Sequence, residues 1–359
     1  MTKFPFPLPA RYQPTGERLG GGQGYVYVCD DRFLDRKVAI KVMHSRGDDA
    51  QLKAELQALC EIRSPHVAQV YELVSSKGGT LGLVQEFIAG ESLDEYPLKD
   101  SIPIGEYLKI LFQVASGLAD IHSHGKVHRD VKPHNLKFDS EGVVKILDFG
   151  LIADLLVKDE TSRARGTDGF LAPEFFHTPP MKFSAAADTY AFGVTAWYLA
   201  NDGELVDELE EDPPQSSRRV RSFGTLGLDI PPEIVGLLDS TLELSASSRP
   251  TMSLVKEFIG RRLLFGKHRA LFSVNQNRIE LMEPGKSVVL KSGSDTMTIL
   301  YDGLSFRIAH ATGDAYVNNR PPGVGNELPK SCVVTLGADA LGAARTFVAV
   351  DSSHPEVVL

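Results

Sequence analysis

Up to about residue 90 the apolar positions fall in short β-prone runs. Tyr25-Val26-Tyr27-Val28 and Lys37-Val38-Ala39-Ile40-Lys41-Val42 are rich in β-branched and aromatic residues and predict strands, with a turn at Asp30-Asp31 between them. Leu52, Leu56 and Leu59 then recur at helical spacing and carry Glu55 on the same face. Leu81-Gly82-Leu83-Val84 is a further apolar strand, ending at Gln85-Glu86. From Ile104 the period changes: Tyr107, Leu108, Leu111, Val114, Ala115 and Leu118 trace the buried face of a helix. A second helical stretch follows Pro173-Glu174 through Asp188 to Leu199, and another spans Thr251 to Leu264. Ahead of all this, residues 1–14 carry Pro5, Pro7, Pro9 and Pro14, which predicts an extended, loosely ordered N-terminal arm.

The texture changes again near Gly266. Arg278–Leu281, Ser287–Leu290, Thr296–Tyr301, Leu304–Ile308, Ser331–Leu336 and Thr346–Val350 are short β-prone runs. Pro284-Gly285, Asp302-Gly303, Gly313-Asp314 and Pro321-Pro322-Gly323 punctuate them. Many short strands between turn signals predict a small all-β sandwich or barrel. The expected fold class is therefore α+β. A strand-rich small lobe at about 15–90 and a helical large lobe at about 91–265 precede a β-sandwich at 268–359, with the boundary falling before Phe272.

A length of 359 residues suits two or more domains, and 42% hydrophobic with 24% charged residues describes an ordinary soluble globular protein. A net charge of -9 with no basic stripe argues against a nucleic-acid partner. Cys29, Cys60 and Cys332 are scattered and odd in number, which fits a reducing, cytoplasmic compartment without a disulfide framework. Nothing at the N-terminus reads as a signal peptide, and the longest apolar runs, such as Tyr190 to Ala200, are too short to span a bilayer. The acidic stretch Asp202–Asp212, followed by Arg218, Arg219 and Arg221, is either a solvated loop or a docking surface for a basic substrate segment.

Chemistry concentrates in His128-Arg129-Asp130-Val131-Lys132-Pro133-His134-Asn135 and, a short hairpin later, Asp148-Phe149-Gly150. In-line phosphoryl transfer needs a group that orients a hydroxyl, cations on phosphate oxygens and oxygen ligands for magnesium, all of which this stretch holds. Upstream, Leu19-Gly20-Gly21-Gly22-Gln23-Gly24-Tyr25-Val26 offers backbone amides that phosphates can approach without intervening side chains. In this order the motifs resemble the catalytic, metal-binding and glycine-rich loops of eukaryotic-type (Hanks-type) protein serine/threonine kinases, over roughly Tyr12 to Leu264.

That resemblance implies a bilobal protein-kinase fold that uses ATP and Mg2+. Gly20, Gly21, Gly22 and Gly24 would cover the phosphates, although the spacing is one residue short and the family's first glycine position falls on Leu19. Lys41 would pair with the α- and β-phosphates and with Glu55. Asp130 would be the general base and Lys132 the contact to the γ-phosphoryl group, with Asn135 and Asp148 as magnesium ligands. Val26 and Ala39 would lie above the adenine and the backbone at Glu86 and Ile88 beside it. Gln85 would control access to the rear of the pocket, and Lys137 would stand beneath the ring where the family usually has an apolar residue. Val70, Leu59, Phe149 and His128 would form an apolar column ending at Asp188.

The stretch from Asp148 to Ala172-Pro173-Glu174 resembles an activation segment, with Arg249 as the partner of Glu174. Arg129 would await a phosphate on Thr161 or Ser162, which as plain polar loop residues would need no such role. Lys132 and Gly166-Thr167 resemble the serine/threonine pattern, so the implied partner is a protein substrate with a Ser/Thr acceptor. The overall character resembles a soluble bacterial member of the family, autophosphorylating and cytoplasmic. In the C-terminal region, Ala315–Pro321, Leu336-Gly337 and Phe347–Asp351 loosely resemble the last half of a forkhead-associated (FHA) domain. Asn318 is the matching polar residue, while the arginine and the serine–histidine pair that hold phosphate there have no clear counterparts near Ser292–Thr296. This implies a recruitment or regulatory module for a phosphoprotein or another protein partner. Two other readings stay open: a catalytically silent scaffold, and a kinase of small molecules.

Overall fold

A computed structural model of the chain describes residues 4–20, 24–43, 53, 56–57, 59–76, 80–96, 102–149, 153–154, 169–176, 184–210, 219–274, 277–353 and 355–357. The chain divides into two compact units, residues 1–259 and 260–358.

The first unit opens with a five-stranded antiparallel sheet in the order β1-β2-β3-β5-β4, formed by β1 (Tyr12–Gly20), β2 (Gly24–Asp31), β3 (Arg36–Met43), β4 (Val70–Ser75) and β5 (Leu81–Glu86). The central strand β3 is buried from Val38 to Met43, yet its two faces differ in chemistry. Val38, Ile40 and Val42 join Phe4, Phe6, Tyr27, Cys29, Val74 and Val84 in one apolar cluster. Ala39 and Lys41 turn to the opposite side, where they line a cleft.

Two sequence expectations change here. The N-terminal arm is not loose over its described residues: Phe4 and Phe6 are buried, and the Phe4 ring sits 4.6 Å from that of Tyr27. Its prolines space the two aromatics, and the sheet's outer face supplies the apolar surface that holds them. The turn expected at Asp30-Asp31 also moves. Strand β2 continues through Asp31, paired with Arg36, and the chain reverses over Arg32–Asp35, with Asp35 at φ 49°. Asp31 is buried because the Arg11 guanidinium grips it with two bonds of 2.7 Å, while Phe33 N–H donates to the same carboxylate at 3.2 Å. Arg11 also reaches Glu72 at 3.1 Å, so the arm is tied to both β2 and β4.

The Arg11 guanidinium holds the Asp31 carboxyl down at about 2 against the opposing effect of burial. A folded-state value below the unfolded one stabilises the native state above the unfolded pKa, and that stabilisation disappears as pH falls through the folded value. The melting temperatures of the wild type and Asp31→Asn should therefore differ at pH 5 and converge between about pH 4 and pH 2. A difference that stays constant across that window would remove the ion pair from the account.

The larger lobe is built on the helix Ile104–Ser123, whose predicted face Tyr107, Leu108, Leu111, Val114, Ala115 and Leu118 is buried. The helix Ala185–Ala200 is buried on nearly every side, as a central core helix must be, and includes Tyr190, Phe192 and Trp197. Tyr107 Oη donates to the Ala196 carbonyl at 3.0 Å and fixes the two helices together. A third helix, Pro232–Thr241, crosses so closely that a Cβ on Gly193 would lie 2.2 Å from Thr241 Oγ1. In the acidic stretch, Glu208 is held by Arg221 at 2.9 Å, and Arg219 pairs with Glu243 at 3.2 Å. Both arginines stay exposed to solvent in these surface pairs. No described helix is long and apolar enough to cross a membrane.

The helix Met252–Leu264 leads into the second unit, which is all-β. Its strands are numbered on from two small two-stranded sheets of the first unit, β6 (Lys126–Val127) with β9 (Ala153–Asp154) and β7 (Leu136–Phe138) with β8 (Val144–Ile146). They are β10 (Ala270–Val274), β11 (Asn277–Leu281), β12 (Ser287–Ser292), β13 (Asp295–Tyr301), β14 (Phe306–Thr312), β15 (Ala315–Val317), β16 (Ser331–Leu336) and β17 (Thr346–Ser352). They form a five-stranded sheet, β11-β10-β17-β16-β15, and a three-stranded sheet, β12-β13-β14. Alternate residues of both sheets, among them Phe272, Leu290, Met297, Ile299, Tyr301, Ile308, Val334, Val348 and Val350, make one core. Asn318, at φ 48°, accepts from Val333 N–H at 2.9 Å, so its side-chain oxygen ties the turn after β15 to strand β16.

Candidate active site

Three local structures of the first unit converge on one cleft. The strand-rich lobe contributes Leu19, Gly20, Gly24, Val26, Ala39 and Lys41 from β1, β2 and β3. The end of β5 contributes Gln85 and Glu86, and the connection after it Phe87 and Ile88. The larger lobe contributes Lys132, His134, Asn135, Lys137, Leu147 and Asp148. These come from the loop after β6 (Lys126–Val127), which pairs with β9 (Ala153–Asp154), and from the hairpin of β7 (Leu136–Phe138) with β8 (Val144–Ile146). The cleft holds about 530 Å³.

At its closed end the charged groups are within bonding distance of one another. Lys41 Nζ lies 2.6 Å from Asp148 Oδ1, although the two are 107 residues apart. Lys132 Nζ is 2.9 Å from Asp130 Oδ2. Asn135 Nδ2 donates to both the Asp130 carbonyl at 2.8 Å and its Oδ2 at 2.9 Å, which leaves the Asn135 amide oxygen as an acceptor. Leu147 N–H donates to the Asn135 carbonyl at 2.8 Å and locks the loop bearing Asp130 to the segment bearing Asp148.

What holds this loop is a buried carboxylate outside the cleft. Asp188, in the first turn of Ala185–Ala200, accepts from the backbone N–H groups of His128 and Arg129, both at 2.8 Å, and contacts His122 Nε2 at 2.8 Å. Burial opposes its ionisation, yet the His122 contact and the backbone donor keep its carboxyl below the usual range. Arg129 and Asp148 are both non-glycine residues with positive φ, 70° and 57°. Such backbone is costly unless its surroundings impose it. For Arg129 the Asp188 carboxylate supplies that constraint. The His128 ring meets Phe149 edge to face at 4.9 Å, and its Nε2 contacts the Leu147 carbonyl at 3.0 Å.

The glycines at the mouth differ in kind. A Cβ on Gly24 would stand 2.3 Å from the Val42 carbonyl oxygen, so close pairing of β2 and β3 demands glycine there. A Cβ on Gly20 would meet nothing within 4 Å. Gly21, Gly22, Glu55, Thr161, Ser162 and Gly166-Thr167 lie outside the described residues. Glu86 turns its carboxylate away from the cleft, to Gln69 N–H at 3.1 Å and toward Lys145 at 3.5 Å, so its backbone borders the open space. Beyond the cleft, Arg249 grips Glu174 with two bonds of 2.8 Å and also donates to the Glu243, Leu244 and Ala186 carbonyls.

Several cleft residues carried no warning in the sequence. Ser92, Glu95 and Phe87 arrive by tertiary folding alone. Leu147 had a signal in standing beside Asp148, and His134, held by Asp94 at 2.8 Å, lies inside the motif itself. His122 as the partner of Asp188 had none, since the two are 66 residues apart.

The donor set fits nucleotide and magnesium. The Asp148 carboxylate and the free amide oxygen of Asn135 are hard oxygen ligands, and two suffice for an ion that keeps most of its waters. Val26, Ala39, Ile88 and Leu147 give the opposite end an apolar slot for a planar ring.

Known proteins bear the same organisation. The chain matches the protein kinase domain family over residues 14–258. It is 30% identical over 261 residues to the probable serine/threonine-protein kinase pknA2 of Bifidobacterium longum, covering 68% of this chain and 34% of that protein. It is 36% identical over 205 residues to the serine/threonine-protein kinase pkn2 of Myxococcus xanthus, covering 53% and 24%. To the serine/threonine-protein kinase PknG of Mycobacterium leprae it is 29% identical over 293 residues, 75% and 37%. The aligned region thus spans between about a quarter and two fifths of these relatives' own length. Because the family match takes in both lobes and every segment that borders the cleft, this chain belongs to the protein kinase domain family.

Proposed function

We propose that the protein is an ATP- and Mg2+-dependent protein serine/threonine kinase whose reaction centre is the Lys41, Asp130, Lys132, Asn135 and Asp148 cluster. The observation that carries this reading is the joint placement of Asp130, Asn135 and Asp148 by bonds of 2.8–2.9 Å that run through one loop. Asp130 orients the acceptor hydroxyl and takes its proton. Lys132 faces the transferred phosphoryl group, and Lys41 the α- and β-phosphates, with Glu55 as its partner. Gly20, Gly21, Gly22 and Gly24 cover the phosphates. Val26 and Ala39 cover the base, and the backbone at Glu86 and Ile88 reads its edge. Asn135 and Asp148 would hold magnesium, which when bound supplies charge neutralisation on the phosphate oxygens.

The kinase domain is assigned to 15–265 and an FHA-like β-sandwich with a recruitment or regulatory role to 268–359. Two antiparallel sheets around one core support the sandwich reading. The substrate is a protein with a Ser/Thr acceptor, in keeping with the names of the relatives. Autophosphorylation at Thr161 or Ser162, read by Arg129, is the proposed route of activation. Cysteines that are all free, two of them buried, support a reducing, cytoplasmic setting.

Asp148→Ala tests the assignment. With labelled ATP and magnesium the wild type should become labelled on serine or threonine, and the variant should carry no label above background. Equal labelling of both would sink the reading.

A further inference from the structure

The two sheets of the second unit end on β11, β15, β12 and β14, and three of these outer edges are closed or guarded. Along β14, residues 326–328 supply the missing bonds. Ile308 N–H donates to the Asn326 carbonyl at 3.0 Å, and Leu328 N–H to the Phe306 carbonyl at 2.7 Å. Strand β15 has only three residues and is bonded back by Arg320, whose carbonyl accepts from Val317 N–H at 2.9 Å. Lys286 and Lys291 guard β12, as cations of one sign keep an edge from pairing.

Strand β11 has none of these devices. It pairs with β10 without a register shift, its residues 277–280 are exposed, and no proline interrupts them. Among the described residues nothing bonds its outer edge, and an open edge is a template for a further strand. Ile279 lies opposite the buried Phe272, on the core side of the sheet, and is still 42% exposed. The apolar layer therefore stops one strand short. Arg278 and Glu280 flank Ile279 on the other face, and among the described residues neither forms an ion pair.

The order of these residues selects the partner. If two copies of β11 pair antiparallel about Ile279, Arg278 of each stands opposite Glu280 of the other, and the two Ile279 side chains meet. The strand is its own complement in charge and in apolar position, as a two-fold interface requires. We propose that β11 is a homodimerisation edge, to which a second copy of this chain adds its own β11 so that two five-stranded sheets become one. The proposal goes beyond the kinase reading and does not depend on it. Five residues a side bury less than a standard interface, so the pair is weak and responds to concentration.

Sedimentation of the full chain should show monomer and dimer exchanging as concentration changes. Arg278→Glu and Glu280→Arg each turn two attractive pairs into two repulsive ones, so each variant alone should have its dissociation constant raised by roughly tenfold or more. An equimolar mixture of the two variants should regain the wild-type affinity, because one strand then offers two carboxylates and the other two guanidinium groups. Both positions are exposed, so the variants should melt with the wild type. A wild type that stays monomeric up to about 0.5 mM would overturn the proposal. So would single variants that dimerise as well as the wild type, or a mixture that stays monomeric. Amide exchange on the wild-type chain gives a reading that needs no variant. Exchange at residues 277–281 should slow as concentration rises, and exchange independent of concentration there would overturn the proposal equally.

Discussion

Asp130→Asn should lower the rate of phosphoryl transfer by roughly 10²- to 10⁴-fold, the range for loss of a positioned general base, while ADP affinity stays within about threefold. The reasoning is geometric. An asparagine at 130 keeps a side-chain oxygen that can accept from Asn135 Nδ2, the bond that measures 2.9 Å in the wild type. It also keeps the main-chain carbonyl that accepts the second Asn135 bond at 2.8 Å. The loop therefore survives, and so do the magnesium oxygens assigned to it. What disappears is the negative charge that faces Lys132 at 2.9 Å and that would receive the hydroxyl proton. Single-turnover kinetics on a peptide substrate, with calorimetry for ADP, separates the two effects. A rate within about threefold of wild type would show that another group does the proton chemistry, and a comparable fall in ADP affinity would show that the loop has collapsed.

The second large effect belongs to a residue that does not border the cleft. Asp188→Ala should cost about 3–5 kcal/mol of folding stability, as expected when one partner of a buried charged network is removed. Two backbone N–H groups, of His128 and Arg129, lose their acceptor in a region without access to water, and His122 loses its contact. Each unsatisfied buried donor alone costs about 1–3 kcal/mol. For a domain of this size the melting temperature should fall by on the order of 10 °C. Activity should fall further than unfolding explains, because Arg129 is held at φ 70° by the same carboxylate and Asp130 follows it in the chain. Thermal melts and rates well below the transition test both halves. A shift under about 2 °C would show that water or another group satisfies those amides.

The contrast between these residues shows what the sequence could reveal. Asp130, Lys132, Asn135 and Asp148 were legible because their chemistry depends on residue type and close spacing, and the local chain keeps them near one another. Lys41 was legible through its place in Val38-Ala39-Ile40-Lys41 behind the glycine-rich stretch, a run that carried the family resemblance. The strands of the second unit followed their turn signals, and Ser331–Leu336 matches its expected bounds. Ala270–Val274 and Ala315–Val317 did not announce themselves as strands, since pairing with distant partners decided their state. The turn placed at Asp30-Asp31 failed for a similar reason. Two adjacent aspartates look like a bend until Arg11 is brought beside them. The docking of Phe4 and Phe6 was hidden because prolines describe the path of an arm but not the surface it meets.

The two-faced character of β3 also bears on how the chain avoids misfolding. A slip of one residue against β2 or β5 would exchange the faces and carry Lys41 in among Phe4, Phe6 and Tyr27, while Ile40 moved to the cleft. A buried ammonium without an acceptor costs several kcal/mol, far more than the apolar contacts such a slip could recover. The lysine assigned to the nucleotide thus also acts as a proofreading device for strand alignment, raising the energy of out-of-register intermediates before any ligand is present.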